Sequence, residues 1–202
     1  HGNGAPLARA GGRCAGEEAD LGDPRLGSLT PRAAMRLLWF SDPVQAASGF
    51  GTQSREALRG LRARGWDAVN LAAALDAAAV APVFEGIAVE AVGPDRHADA
   101  AALLAAVARR RPDAVVALAD LWMVPQMTAL RDVPWALWAP VDGEIATDAW
   151  DPLIRGATEL VAMSEFGRSV LEPRRGRAVP VIPHAVDAAV FAPPEPALRD
   201  RI

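Results

Sequence analysis

The stretch Met35-Arg36-Leu37-Leu38-Trp39-Phe40-Ser41-Asp42 is a short apolar run that ends in a polar turn. Ser48-Gly49-Phe50-Gly51 follows, then an amphipathic stretch over residues 52–64, closed by Gly65 and succeeded by a second apolar run over residues 66–71. Leu58 and Leu61, three apart, mark the apolar face of a helix, whereas the flanking runs are too short for helices and rich in strand-forming residues. Strand, helix and strand in that order make a βαβ unit, whose two strands lie parallel because the helix carries the chain back across the sheet. Working outward, strands are expected over residues 84–89, 114–119, 134–139, 157–163 and 178–182. Helices are expected over residues 97–111, ended by Pro112, and 165–171. Continuous apolar strands separated by helices are buried on both faces, so the expected fold is α/β, a doubly wound Rossmann-like parallel sheet.

The composition agrees with a folded domain. Of 202 residues, 51% are apolar and 23% charged, values that exclude an extended disordered chain. The single cysteine, Cys14, cannot pair within the chain and excludes a Cys-rich zinc site. All 21 cationic side chains are Arg, a usage that points to a GC-rich bacterial genome, and the net charge of −4 argues against broad nucleic-acid binding. Asp67 and Asp76 interrupt the apolar stretch over residues 66–84, and Arg109, Arg110 and Arg111 close the one that begins at Ala100, so no membrane span is expected. A start at His1, without a charged and then apolar leader, suggests a fragment of a cytoplasmic protein with at most peripheral contact to the inner membrane face. Residues 1–34 lack periodicity and are expected to form a poorly ordered tail, residues 35–192 the domain, and residues 193–202 a Pro-rich linker at the start of something further.

In an open parallel sheet ligands bind beyond the carboxyl ends of the strands, so the residues after each strand carry the functional reading. They are Asp42 with Gly49 and Gly51, then Asp120 and Trp122, then Asp142-Gly143-Glu144, and finally His184. Gly49 and Gly51 allow close backbone approach, and a helix capped by Thr52 would offer its amides to a phosphate or a sugar hydroxyl; the alternative is a tight turn without ligand. The segment is neither GxGxxG nor a P-loop, which would need a lysine. Asp142 is placed to accept a sugar hydroxyl or act as a base, the alternative being an Asx turn ahead of Gly143. Asp42 is expected to contact acceptor or sugar, Asp120 and His184 either to contact ligand or to cap local structure, with His97 structural. Trp122, Trp135, Trp138 and Trp150 suggest stacking on a sugar, with core packing favoured for Trp135. The arginines at 109–111 and 174–177 read as solvated helix ends, with an acidic-lipid patch as the alternative.

Taken together, Leu37-Leu38-Trp39-Phe40-Ser41, Gly49-Phe50-Gly51-Thr52-Gln53, Pro140-Val141-Asp142-Gly143, Val161-Ala162-Met163-Ser164-Glu165-Phe166-Gly167 and Val181-Ile182-Pro183-His184-Ala185-Val186-Asp187 with Phe191 and Pro193 resemble the N-terminal half of glycosyltransferases of family 4, which have the two-domain GT-B fold. The resemblance covers residues 35–202. It implies a retaining transferase that moves a sugar from a nucleotide-diphosphate donor to a glycan, lipid or small-molecule acceptor without metal or other cofactor. It also implies that Gly49 and Gly51 line the donor-phosphate side of the cleft and that Asp142 sits near the transferred sugar. The C-terminal donor-binding domain would follow Ile202. Asp142 stands where many relatives carry His, and Ala185 where Gly is common. A GT-B sugar-nucleotide epimerase, a non-catalytic sugar-binding module and a truncated relic are the alternatives.

Overall fold

The computed structural model describes residues 34–73, 81–92, 100–188 and 190–191. The expected tail, linker and His97 lie outside these residues, apart from Ala34 at the tail's end. Among the described residues seven strands form one sheet, β1 (Arg36–Ser41), β2 (Asp67–Ala72), β3 (Val83–Phe84), β4 (Ile87–Ala91), β5 (Ala114–Leu118), β6 (Trp135–Ala139) and β7 (Glu159–Ala162), in the order β3-β4-β2-β1-β5-β6-β7. All pairings are parallel except that of β3 with β4. The helices are α1 (Gly49–Ala63), α2 (Ala100–Arg110), α3 (Asp151–Gly156) and α4 (Glu165–Arg175). The result is an α/β fold of Rossmann-like type.

Strand alternation divides the core between the two faces of the sheet. Leu38 and Phe40 of β1 pack in a cluster with Leu103 of α2, Ile154 of α3 and Leu171 of α4. Leu37 and Trp39 point the other way, into a cluster with Leu58 of α1 and Ile87 of β4. Helices therefore cover both faces, and the central strand is buried along all but its first residue.

Four local expectations are corrected. The expected strand over residues 84–89 is a hairpin, because Glu85 and Gly86 both have positive φ, 48° and 78°, and turn the chain back on itself through two residues. The stretch 178–182 makes only the parallel bridge Ala162↔Val181, since Pro180 and Pro183 have no N–H to extend a ladder. Helix α4 continues past Leu171 and through Pro173, and ends at Gly176 in the left-handed region with φ 74°. Helix α3 was not expected; Pro152 in its first turn and the Thr147 hydroxyl, which caps the 3-10 turn ahead of it, account for its start.

The chain steps outward from β1 through β2 to β4, then returns to place β5 on the other side of β1. The carboxyl ends of β1 and β5 are thus the switch point of the sheet, where a crevice opens. There Ser41 ties β1 to β5 by donating its buried hydroxyl to the Leu118 carbonyl at 2.7 Å.

Candidate functional site

The segment after β1 is built by polar side chains buried beneath it. Asn70, fully buried in the middle of β2, accepts from the Val44 amide at 3.0 Å and donates to the carbonyls of Trp39 at 3.2 Å and Asp42 at 3.4 Å. One amide therefore fixes the turn that leads into α1. Asp42 is only 5% exposed and accepts from the Ser48 hydroxyl at 2.6 Å, while that hydroxyl accepts from the Gly51 amide at 3.0 Å. Ser48, not Thr52, is the N-cap of α1. The expected helix start at Thr52 is one turn late because Gly49 and Gly51, poor helix formers, are taken into the first turn behind a strong cap. The second carboxylate oxygen of Asp42 is buried without a partner among the described residues.

Gly49 and Gly51 part company. A side chain on Gly49 would meet nothing within 4 Å, so its backbone faces open space. A Cβ on Gly51 would lie 2.6 Å from the Ala46 carbonyl and 2.8 Å from that of Pro43. Gly51 is required for packing of α1 against its own loop and does not present its backbone to a ligand.

Two clefts lie among the strand-end segments. The first, about 240 Å³, brings together Asp120 after β5 and Asp142 after β6, with Trp122, Glu144, Ile145 and Trp150. Trp122 is 45% exposed, unusual for an indole, whereas Trp150 rests against the core. Asp120 precedes the 3-10 turn Leu121–Met123 but makes no side-chain cap bond to it. Gly143 does not have positive φ and its missing side chain would touch nothing, so the turn after Asp142 owes nothing to glycine's freedom. Arg174 takes the carbonyls of Ile145 and Thr147 and the carboxylates of Asp148 and Asp151, which fixes the loop that carries Glu144.

The second cleft, about 810 Å³, joins the start of α1, through Ser48, Gly49 and Thr52, to the segment 184–191. Gln53 grips that segment from both sides, donating to the Ala185 carbonyl at 2.7 Å and accepting from the Ala185 amide at 3.2 Å. The Trp138 indole donates to the Ile182 carbonyl at 2.8 Å, and its ring meets the His184 imidazole edge-on at 4.9 Å. Trp39 in turn packs edge-on to Trp138 and donates to Ser54 of α1 at 2.9 Å. The partial loss of water around His184 holds its imidazole below the ordinary value, favouring the neutral form.

Of the residues expected at the site, Asp120, Trp122 and Asp142 thus share one cleft, and Gly49, Thr52 and His184 share the other. Asp42 and Gly51 line neither: both are buried in the brace beneath α1. Gln53 and Trp138 gain importance as the groups that hold His184, and Asn70 as the residue that holds the turn. A buried polar residue inside an otherwise apolar strand is the signal that marks Asn70 in the sequence. Trp135 is buried within β6, in the core position expected of it. Among the described residues, no helix is long and apolar enough to cross a membrane. Neither a protein-family model nor a curated protein matches the chain.

Proposed function

We propose that this chain is the acceptor-side half of a retaining GT-B glycosyltransferase, transferring a sugar from a nucleotide-diphosphate donor to a glycan, lipid or small-molecule acceptor. The observation that carries the reading is the shared cleft of Asp120, Trp122 and Asp142 beyond β5 and β6, beside the switch point. An exposed indole offers a flat apolar face to a sugar ring, and carboxylates accept its hydroxyl protons. The second cleft has the character of a donor side: the exposed backbone at Gly49, the start of a 15-residue helix and a positioned imidazole. Val186, Val190 and Phe191 along its wall are 72%, 71% and 69% exposed, an apolar surface of the kind that a second domain covers.

In this reading the acceptor hydroxyl attacks the anomeric carbon, the bond from that carbon to the diphosphate breaks, and the nucleoside diphosphate leaves with the electron pair. Asp142 stabilises the positive character at the sugar carbon or takes the hydroxyl proton. Trp122 orients the acceptor ring, and the amides at the start of α1 face the leaving phosphates. The enzyme acts in the cytoplasm, with at most peripheral contact with the inner membrane face, and requires no metal.

The test is nucleoside-diphosphate release by the polypeptide that contains this chain together with its donor-binding half, with and without acceptor. Acceptor-dependent release with retained anomeric configuration is the expected result. Hydrolysis or epimerisation without acceptor would make it a sugar-nucleotide epimerase, and ligand binding without turnover would make it a binding module.

A further inference from the structure

The segment 182–187 lies beyond the bridge at Val181, has no regular structure and is exposed at every residue. It is nevertheless held by hydrogen bonds from the side chains of two other elements. The Ile182 amide donates to the Ala162 carbonyl at 2.9 Å, and the Ile182 carbonyl accepts from the Trp138 indole of β6 at 2.8 Å. Three residues on, Gln53 of α1 accepts from the Ala185 amide at 3.2 Å and donates to the Ala185 carbonyl at 2.7 Å. His184 lies between these two holds.

The bonds do little for the core. Among the described residues the core clusters end at Val179, and Ile182, Val186, Val190 and Phe191 are left outside them. Hydrogen bonds between exposed groups replace bonds to water, at small net gain. What they fix is geometry. Gln53 lies one residue after Thr52 and four after Gly49, and both ends of its carboxamide engage a single residue of the segment. A carboxamide can make this paired contact, whereas a carboxylate only accepts and a guanidinium only donates. On the other side the Trp138 ring stands edge-on to the imidazole at 4.9 Å. The imidazole therefore has a set position beside the start of α1, in the same cleft of about 810 Å³.

We propose that Gln53 is a positioning residue of the second cleft, which sets the spacing of the His184 imidazole from the start of α1 and thereby the fit of a diphosphate group between them. The inference rests on the reading of this cleft as the donor side, and deepens it by naming a residue that acts there through others. Gln53 works through the Ala185 backbone, which engages both its oxygen and its nitrogen. A wall held in place beforehand spares a ligand the cost of ordering it, so its release weakens binding without unfolding the domain.

The experiment follows this chain and Gln53→Ala by NMR, with inorganic pyrophosphate as the probe. Without the probe, the Ala185 amide should exchange with solvent about tenfold faster in the variant, and the His184 imidazole should titrate closer to its ordinary value as water reaches it. With the probe, the Gly49 amide and the His184 ring of the parent should shift along one binding curve. In the variant Kd should rise about tenfold, at a melting temperature within about 2–4 °C of the parent. Gln53→Met, which keeps the length of the side chain without its polar ends, is the second variant and should behave alike. Unchanged Ala185 exchange and His184 titration would overturn the inference, and so would a melting temperature that falls further in both variants, which would assign Gln53 to the fold. An equal Kd in parent and variants would overturn it as well and leave the donor-side reading standing. A parent that does not bind pyrophosphate would overturn the inference and the donor-side reading together.

Discussion

Asn70 is the residue on which the site's entry turn depends. Replacement by Leu would keep the volume and leave the Val44 amide buried without an acceptor, at a cost of about 1–3 kcal/mol. Urea unfolding of Asn70→Leu checks this, with a lower midpoint at an unchanged slope expected. A sequence shows such a residue as an interruption of an apolar strand and does not show its partners, which lie in β1 and the turn after it, 26 to 31 positions away. His184 carries a second expectation. Its imidazole should titrate below 6.5 in an NMR experiment, and Trp138→Ala, which returns water to the ring, should raise it toward that value. Because the unfolded chain takes up the proton first, the His184 contribution to stability is full above about pH 6.5 and declines as the pH falls from there toward the folded value. At Asp142 the expectation concerns rate. In the proposed two-domain enzyme Asp142→Asn should lower kcat by roughly 10²-fold with an unchanged melting temperature, since an exposed loop carboxylate with no partner among the described residues holds little together. A kcat within about threefold of the parent would leave Asp142 as a turn residue only.

At the scale of elements, glycines that look alike in sequence separate cleanly. Gly51→Ala would drive a methyl group to 2.6 Å from the Ala46 carbonyl, where α1 would have to lift from its loop. A loss of about 1–3 kcal/mol is expected, the range for overpacking. Gly143→Ala adds a methyl in open space at ordinary φ and should move stability by less than about 0.5 kcal/mol. Paired thermal melts of the two variants check both. Element types were legible because periodicity reports burial, which local packing then obeys: β1, β2, β5, β6 and β7 overlap the apolar runs, and α1 and α4 overlap the expected helices, although α1 starts three residues earlier and α4 ends four residues later. What escaped was set by single backbone dihedrals and missing amides. The Glu85-Gly86 turn that splits β3 from β4 depends on positive φ at a glutamate, and the short bridge at Val181 depends on two prolines whose strand partner is not visible in the sequence.

At the scale of the whole molecule, the strand order could not be read from the sequence, since apolar runs say that strands are buried and not which strands adjoin. The rule that parallel crossovers keep one hand limits the choices, but the return of the chain to β1 after β4 is a property of the packed sheet. That return decides which strand-end residues meet: Asp120 and Asp142 follow neighbouring strands and share a cleft, whereas Asp42, one strand further along, goes into the brace under α1. Among the described residues, the core clusters on both faces run from Leu37 to Val179. A hydrophobic core is the main source of stability, and a segment adds to it only if buried apolar area exceeds the cost of ordering its chain, about 1–2 kcal/mol per residue for the backbone. Besides Cys14 and the prolines, residues 1–33 offer only Leu7, Leu21, Leu26 and Leu29 as apolar side chains larger than alanine, and the single i,i+3 pair Leu26/Leu29 is too little to build a helix face. A chain beginning at Ala34 should therefore melt within about 2–4 °C of the full chain, the shift that roughly 1 kcal/mol produces at this size. Scanning calorimetry of the two chains measures it. A larger fall would show that the leucines of the first 33 residues contribute to the core, and single Leu→Ala substitutions at those four positions would then identify which of them packs.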